Sequence, residues 1–147
     1  MPSLRNSTDR NSLIQRLNRL SPAAQPQWGK MDAPRMICHL ADTLAMALGE
    51  VRPPSLNANR VQRFLLKYLF FYVLPMPKGL PTVPELLFSS PDNFDADRRR
   101  VIELIERLAA TPCGPGAEHP FFGPLTNDEW NVLQWKHTGH HLCQFGC

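Results

Sequence analysis

The fold of this chain is decided by a stretch near its end, which reads Thr126-Asn-Asp-Glu-Trp-Asn-Val-Leu-Gln-Trp-Lys-His-Thr-Gly-His-His-Leu-Cys-Gln-Phe145. Thr126 and Glu129 have the spacing of a capping box, in which each side chain binds a backbone N–H that the first helical turn leaves unpaired. Leu125 and Trp130 have the spacing of a hydrophobic staple across the same helix start. The stretch therefore predicts one helix with a well-specified beginning.

This predicted helix carries three of the five histidines of the chain. Residues advance by about 100° each around a helix, which places Trp130, His137 and His141 within an arc of roughly 40°. The Cβ atoms of the two histidines are then about 5–6 Å apart, and imidazoles at this separation can converge on one metal ion. His140 points to the edge of this stripe and is the weaker candidate.

Length, composition and charge indicate one ordinary globular domain. A chain of 147 residues can bury a core without disulfides, so we expect a single domain over residues 1–147. The net charge of +3 is mild and the basic residues have acids among them, so we expect no nucleic-acid partner. The N-terminus has no secretory pattern, and the longest apolar run is about half of a membrane span. We therefore expect a cytoplasmic protein with reduced cysteines and no membrane partner.

Four further segments have helical patterns. Leucine spacing predicts a first helix over residues 8–20, and Asp32 is the expected cap of a second helix that ends at Gly49. The third, from about Asn59 to Leu74, is apolar nearly all round. Such a helix lies in the core or is covered by a second subunit, and we favour a homodimer.

A fourth helix is predicted from about Asp92 to Ala110, after a proline-rich connection, Pro75 to Pro84, that cannot be helical. No sustained β alternation appears along the chain. The predicted architecture is therefore all-α, with four main helices and one more that packs across or beside them.

The second predicted helix carries His39 at the margin of its apolar stripe. A lone histidine there is usually a satisfied, partly buried side chain, but the C-terminal pair supplies the partners that a ligand needs. Asp42, one turn later, can orient the His39 imidazole or accept a proton, and it can equally be a surface carboxylate. Trp130 and Gln144 either line the cavity or serve ordinary helix packing.

Histidines also occur in two other groups of residues. In the loop His119-Pro-Phe-Phe-Gly-Pro124, we expect Phe121 and Phe122 to anchor onto the core and His119 to make loop hydrogen bonds. A competing zinc site would use His140, Cys143 and Cys147, whose thiolates bind zinc well. Gly146 is typical of a helix end, which favours free thiols over this second site.

Several short motifs recur in a recognisable order: Trp28-Gly-Lys-Met31, His39-Leu40, His119-Pro-Phe-Phe-Gly123, Glu129-Trp130, and His137 through Gly146. In this combination the chain resembles the DinB/YfiT-like superfamily of helical-bundle metalloenzymes, and most of all one of its uncharacterised domain-of-unknown-function branches. The resemblance covers residues 13–146.

The resemblance implies a four-helix bundle with a divalent metal, zinc or nickel, bound by one histidine of the second helix and a His-x-x-x-His pair of the last. Carried onto this sequence, the implied ligands are His39, His137 and His141, with the adjacent His140 as the alternative to one of them. Characterised relatives include transferases and isomerases that use low-molecular-weight thiols, and many members are dimers.

Three neutral imidazoles with an open fourth position are typical of catalytic metal sites. A metal in such a site lowers the pKa of a water or a thiol and generates a nucleophile. The sequence thus suggests a metal-dependent transferase or hydrolase that acts on a small molecule, with a thiol as a candidate cosubstrate. The alternative is a non-catalytic dimeric bundle whose histidines hold a metal for structure or hold none.

Overall fold

The computed structural model describes residues 1–52, 59–73, 89–115 and 117–147. The elements occur in the order α1 (Ser7–Arg19), α2 (Ala33–Ala47), α3 (Arg60–Tyr68), a π-helix (Leu69–Val73), α4 (Phe94–Ala110), β1 (Glu118–His119), β2 (Gly123–Pro124) and α5 (Asn127–Gln144). The predicted helical class is confirmed, with a two-residue hairpin as an addition. The proline-rich connection from Pro75 to Pro84 lies outside the described residues. In the described ranges, no helix is long and apolar enough to cross a membrane.

Each α-helix begins at a polar side chain that accepts a hydrogen bond from a backbone N–H of the first turn. The caps are Asn6, Asp32, Asn59, Asn93 and Thr126. The predicted capping box of α5 is present, since the Glu129 N–H donates to Thr126 Oγ1 over 3.3 Å and the Thr126 N–H donates to Glu129 Oε2 over 2.8 Å. Asn59 and Gln62 form a second capping box at α3.

Helices α1, α2, α4 and α5 surround one hydrophobic core. Helix α2 packs against α4 and α5, and α1 packs against the same two helices. The largest fully buried side chains of these helices include Leu13, Leu17, Met36, Leu40, Leu44, Ile105, Leu108 and Trp130. Burial of each such side chain contributes about 1.5–3 kcal/mol, so this core holds α2 and α5 firmly beside each other.

Helix α3 and the π-helix lie beside the four core helices and are attached to α5 by polar contacts. Lys136 of α5 donates to the carbonyl oxygens of Phe70 and Phe71 over 2.8 and 3.0 Å. Lys67 of α3 forms a 2.8 Å ion pair with Glu129. Phe71 is the buried aromatic anchor of the segment, at 4% exposure.

Of the two alternatives for the third helix, a central place in the core is wrong. Six large apolar side chains of this segment are 40–69% exposed. They are Phe64, Leu65, Leu66 and Tyr68 of α3 with Leu69 and Tyr72 of the π-helix, and we call them together the outer face of α3. The four core helices already enclose the core. Only one side of α3 therefore packs against other elements, and the other side is exposed.

The hairpin after α4 is attached to the core by one of the two predicted aromatic anchors. The Phe122 ring lies 5.2 Å from that of Phe70 and 6.0 Å from that of Phe71, measured between centroids. Phe121 is 37% exposed, so its expected anchoring role is wrong. Successive residues at a turn point in different directions, and only Phe122 points at the core.

Candidate metal centre

A cluster of three histidine rings lies where α2 packs against α5. His39 comes from the second turn of α2. Asp32 caps this helix, and Pro34 lies in its first turn. His137 and His141 come from successive turns of α5 and share its inward side, as the helical spacing predicted. In the structure this side faces α2. His39 and His137 are 98 residues apart in the sequence, and the shared core brings them together.

The three rings meet through their Nε2 atoms. His137 Nε2 lies 3.2 Å from His39 Nε2 and 3.2 Å from His141 Nε2. One nitrogen of each ring lies within 4.8 Å of the corresponding nitrogens of the other two. The ring planes stand at 76–90° to one another, so these contacts are made edge to edge or edge to face rather than by stacking. Three histidines thus lie close enough to hold one metal ion.

Gln144 holds the outer side of the His141 ring. Its Oε1 lies 2.9 Å from His141 Nδ1, and its Nε2 donates to the carbonyl oxygen of Trp28 over 2.7 Å. Both Gln144 and His141 are buried, at 5% and 8% exposure. Gln144, which was expected to line the cavity or to serve helix packing, contacts a histidine of the cluster directly.

Thr43, which is itself hydrogen-bonded to Gln134, holds the outer side of the His137 ring. Thr43 Oγ1 lies 3.4 Å from His137 Nδ1 and donates to the carbonyl oxygen of Leu40 over 3.1 Å, with Gln134 Oε1 as a second acceptor at 3.4 Å. Gln134 Nε2 in turn donates to the Thr43 carbonyl over 3.0 Å. Thr43 and Gln134 are buried and His137 is partly buried, so these hydrogen bonds are largely shielded from solvent.

Burial and neighbouring rings keep the imidazoles of His137 and His141 neutral. The pKa of His141 is lowered to about 3, mainly by burial and also by the nearby rings of His39 and His140, against the opposing effect of its hydrogen bond to Gln144. Burial also lowers the pKa of His137 well below 6.5, and repulsion from His141 and His39 adds to this effect. Neutral imidazole is the form that binds metals, so both rings are ready to act as ligands near pH 7.

Asp42 is buried at 2% exposure, so the alternative that it is a surface carboxylate is wrong. Its two oxygens accept hydrogen bonds from the N–H and the hydroxyl of Ser89. These bonds tie α2 to the segment that precedes α4. Its expected role in orienting the His39 ring stays a prediction.

The cysteines lie apart from the histidine cluster. Among the described residues, His39, His137 and His141 are the group of three that could hold a metal ion, and the competing set of His140, Cys143 and Cys147 does not form one. All four cysteines are free thiols. Burial, assisted by Asp97 and Asp42, raises the pKa of Cys38 to about 11, so this thiol stays protonated and weakly reactive.

His140 and His119 flank the cluster without joining it. The His140 ring packs against Trp28 and His141, with centroids 5.8 and 5.4 Å away. His119 Nδ1 accepts from the N–H groups of Phe121 and Phe122 over 3.2 and 3.3 Å, which confirms the expected loop hydrogen bonds. Burial lowers the pKa of His119 to about 3.

Three contributors to the site were missed by the sequence reasoning. Thr43 and Gln134 had no recognised role, and nothing in the sequence links the Trp28 carbonyl to Gln144, 116 residues later. A signal for Gln134 was available, because it precedes His137 by three residues and so lies on the same helix face. The Trp28 contact depends on the course of a loop, which no local pattern specifies.

The fold and the site together define a helical protein with a buried three-histidine cluster between two core helices. The chain belongs to the family described as Protein of unknown function (DUF1569), whose model matches residues 3–146. Its expected place in a domain-of-unknown-function family is therefore confirmed, and the wider superfamily stays a prediction. A search of curated proteins and a search of solved structures each found no match.

Proposed function

We propose that this protein is a divalent-metal-dependent enzyme in which His39, His137 and His141 bind the ion. The observation that carries the proposal is the convergence of three imidazole Nε2 atoms, two of them 3.2 Å from the third. Imidazole nitrogens are good ligands of divalent metals, and three that converge from two helices supply the donor set of a three-histidine metal site.

The separations fit a metal ion. Two nitrogens that each lie about 2.0–2.1 Å from a tetrahedral zinc ion are about 3.3–3.4 Å apart. The distances from His137 Nε2 to the other two Nε2 atoms are both 3.2 Å, so little movement of these pairs is needed. The donor set is chemically suitable too, since imidazole is a good ligand for zinc and nickel.

Three protein ligands leave a position of a tetrahedral site open, which favours catalysis over a purely structural role. When bound, a divalent ion supplies a Lewis acid that lowers the pKa of a water or a thiol. The protein's own part is to hold the rings through Gln144, Thr43 and Gln134 and to exclude bulk water. We assign Asp42 to the orientation of His39 or to proton transfer, because its buried carboxylate lies one turn from that ring.

The reaction class that we propose is transfer to or from a low-molecular-weight thiol, or hydrolysis, with a small-molecule substrate. The support is the ordered motif resemblance to the DinB/YfiT-like superfamily, together with a three-histidine cluster on the helices at which that resemblance expects it. We accordingly propose a four-helix bundle of that type formed as one domain by residues 1–147, in a cytoplasmic protein with zinc or nickel as the metal.

We also propose a homodimer that buries the outer face of α3. Its six large apolar side chains are 40–69% exposed, and apolar surface of this kind is typical of protein interfaces. Sedimentation of the wild-type protein and of a Phe64→Glu variant tests this. A dimer that Phe64→Glu converts to a monomer supports the proposal, and a wild-type monomer at all concentrations contradicts it.

Metal content tests the central proposal. Protein purified without an affinity tag should bind about one Zn²⁺ or Ni²⁺ per chain, and His39→Ala or His137→Ala should weaken binding by more than about 100-fold, since even partners outside the coordination shell are worth 10–100-fold. His140→Ala is the matched control, because it removes an adjacent imidazole of the same helix and should leave affinity nearly unchanged. Equal losses in all three variants would contradict the assignment.

Turnover separates the enzyme from the non-catalytic alternative. The metal-loaded protein is mixed with low-molecular-weight thiols and electrophilic small molecules, and with simple esters and amides, and rates are compared with those of the His137→Ala variant. Acceleration that disappears in the variant supports the proposal. Tight metal binding that stabilises the fold, without acceleration of any of these reactions, would favour a structural role for the histidines.

A further inference from the structure

The orientation of the Gln144 amide is fixed by a backbone carbonyl. Gln144 Nε2 lies 2.7 Å from the carbonyl oxygen of Trp28, and a carbonyl oxygen can only accept a hydrogen bond. The amide nitrogen must therefore face Trp28, and the amide oxygen must face the other way. Neither assignment depends on the histidines.

The fixed amide determines where the proton of His141 lies. The atom that faces His141 Nδ1 at 2.9 Å is the amide oxygen, which can only accept. His141 Nδ1 must therefore carry a hydrogen. In the neutral ring the lone pair is then on Nε2, the atom that points at His137.

The loop around Trp28 is built to hold this amide in place. The Gln27 N–H donates to the backbone carbonyl oxygen of Gln144 over 2.7 Å, so main chain and side chain of Gln144 are both bonded to the loop. Gly29 has φ +80°, and a Cβ atom there would be only 2.6 Å from Gln144 Nε2. Glycine at this position thus permits the close approach that the Trp28 hydrogen bond requires.

We propose that Gln144 is a positioning residue. Its amide, oriented by the Trp28 carbonyl, accepts a hydrogen bond from His141 Nδ1 and so presents Nε2 of that ring to the metal. This proposal rests on the proposed metal site. It adds a specific assignment to that site, namely that His141 binds through Nε2 because a loop 116 residues away dictates its tautomer.

The test uses ¹⁵N NMR of the imidazole rings in metal-free full-length protein, followed by Zn²⁺ titration of the same samples. Wild-type His141 should be a single neutral tautomer with its hydrogen on Nδ1. Gln144→Met removes the acceptor at nearly constant volume, so it should give a mixture of tautomers and weaken Zn²⁺ binding about 10–100-fold. Gln15→Met, an exposed glutamine of α1, is the matched control and should change neither quantity.

Gln144→Glu is the second variant, and it keeps the proposal testable if Gln144→Met does not fold. A carboxylate still accepts from Nδ1, so the wild-type tautomer should return even though the hydrogen bond to Trp28 is lost. The proposal is overturned if His141 keeps one tautomer in Gln144→Met, if its tautomer changes without any change in Zn²⁺ affinity, or if Gln144→Glu loses the Nδ1 hydrogen.

The two readouts separate this inference from the proposed function. If wild-type protein binds no Zn²⁺ or Ni²⁺, the metal-site proposal fails, and the ring tautomer in metal-free protein still decides whether Gln144 controls His141. If metal binds tightly but the tautomer ignores Gln144, the positioning role alone fails.

Discussion

Helices α5 and α3 are both rich in aromatic and apolar side chains, and the structure uses them in opposite ways. Helix α5 buries Trp130 completely and places polar side chains such as Gln134 and Thr138 in the interior as well. Helix α3 exposes Phe64 at 68% while its polar Lys67 pairs with α5. Burial in this protein therefore follows position among the core helices rather than the apolar content of a helix.

The difference also shows why the site lies on α2 and α5. Each of these helices has core neighbours on two sides, so His39 and His141 are buried there, and the His141 ring is held by its buried hydrogen bond to Gln144. The segment from α3 through the π-helix contacts mainly α5, which leaves the outer face of α3 available for a partner. The packing of α2 and α5 holds the histidines in place, whereas the exposed side chains of α3 form a surface on which a partner can pack.

The largest expected contrast comes from truncating one aromatic residue in each region. Trp130→Ala should lower the free energy of unfolding by about 3–5 kcal/mol, because it leaves a large cavity in the core. Phe64→Ala should change it by less than about 0.5 kcal/mol, because that ring is mostly in water. Urea denaturation at a concentration at which the chain is monomeric measures both, and similar losses would break the comparison.

His119, in the hairpin between α4 and α5, should make the stability of the fold depend on pH. The pKa of His119 is about 3 in the folded protein because of burial, against about 6.5 when unfolded. The unfolded chain therefore binds the extra proton first, and stability that is present above pH 6.5 is lost as the pH falls toward 3. For metal-free protein, the loss due to this residue should be about 1 kcal/mol per pH unit.

His119→Asn is the matched variant for this dependence, because its amide oxygen can accept from the N–H groups of Phe121 and Phe122 without titrating. Denaturation between pH 6.5 and 4.5 should give a shallower decline for the variant, by about 2 kcal/mol over the whole interval. If the free energy of unfolding falls equally with pH in the two proteins, burial does not lower the pKa of His119.

A smaller contrast is expected from the two capping boxes. Thr126→Ala should cost about 1 kcal/mol of global stability, because α5 is part of the core. Asn59→Ala should mainly speed hydrogen exchange of the α3 amides, with a global loss below about 0.5 kcal/mol, because α3 can fray while the core stays folded. The same global loss in both variants would indicate that α3 unfolds together with the core.

The parts of the fold that local chemistry specifies were predictable. Thr126 and Asp32 begin their helices as expected, because a cap acts over three residues of sequence. The inward stripe of His137 and His141 followed from helical periodicity alone. The pairing of these rings with His39 needed the resemblance, since periodicity within one helix does not say which other helix lies opposite.

The parts that depend on long-range contacts were not predictable. The continuous helix expected from Asn59 to Leu74 becomes a π-helix at Leu69, where the Lys136 ammonium binds two of its carbonyl oxygens. The hydrogen bond from Gln144 to Trp28 and the outward turn of Phe121 likewise depend on how distant segments meet. Sequence periodicity indicates which side of a helix is apolar, but not whether another helix is free to cover it.

The X-ray absorption spectrum at the zinc edge of zinc-loaded, untagged protein tests the central claim most directly. The three-histidine assignment predicts imidazole nitrogens at about 2.0–2.1 Å with outer-shell scattering from three rings, no sulfur, and loss of this signal in His137→Ala. Sulfur at about 2.3 Å, as a site made by Cys143 and Cys147 would give, or failure of the protein to retain zinc at all, would contradict the account.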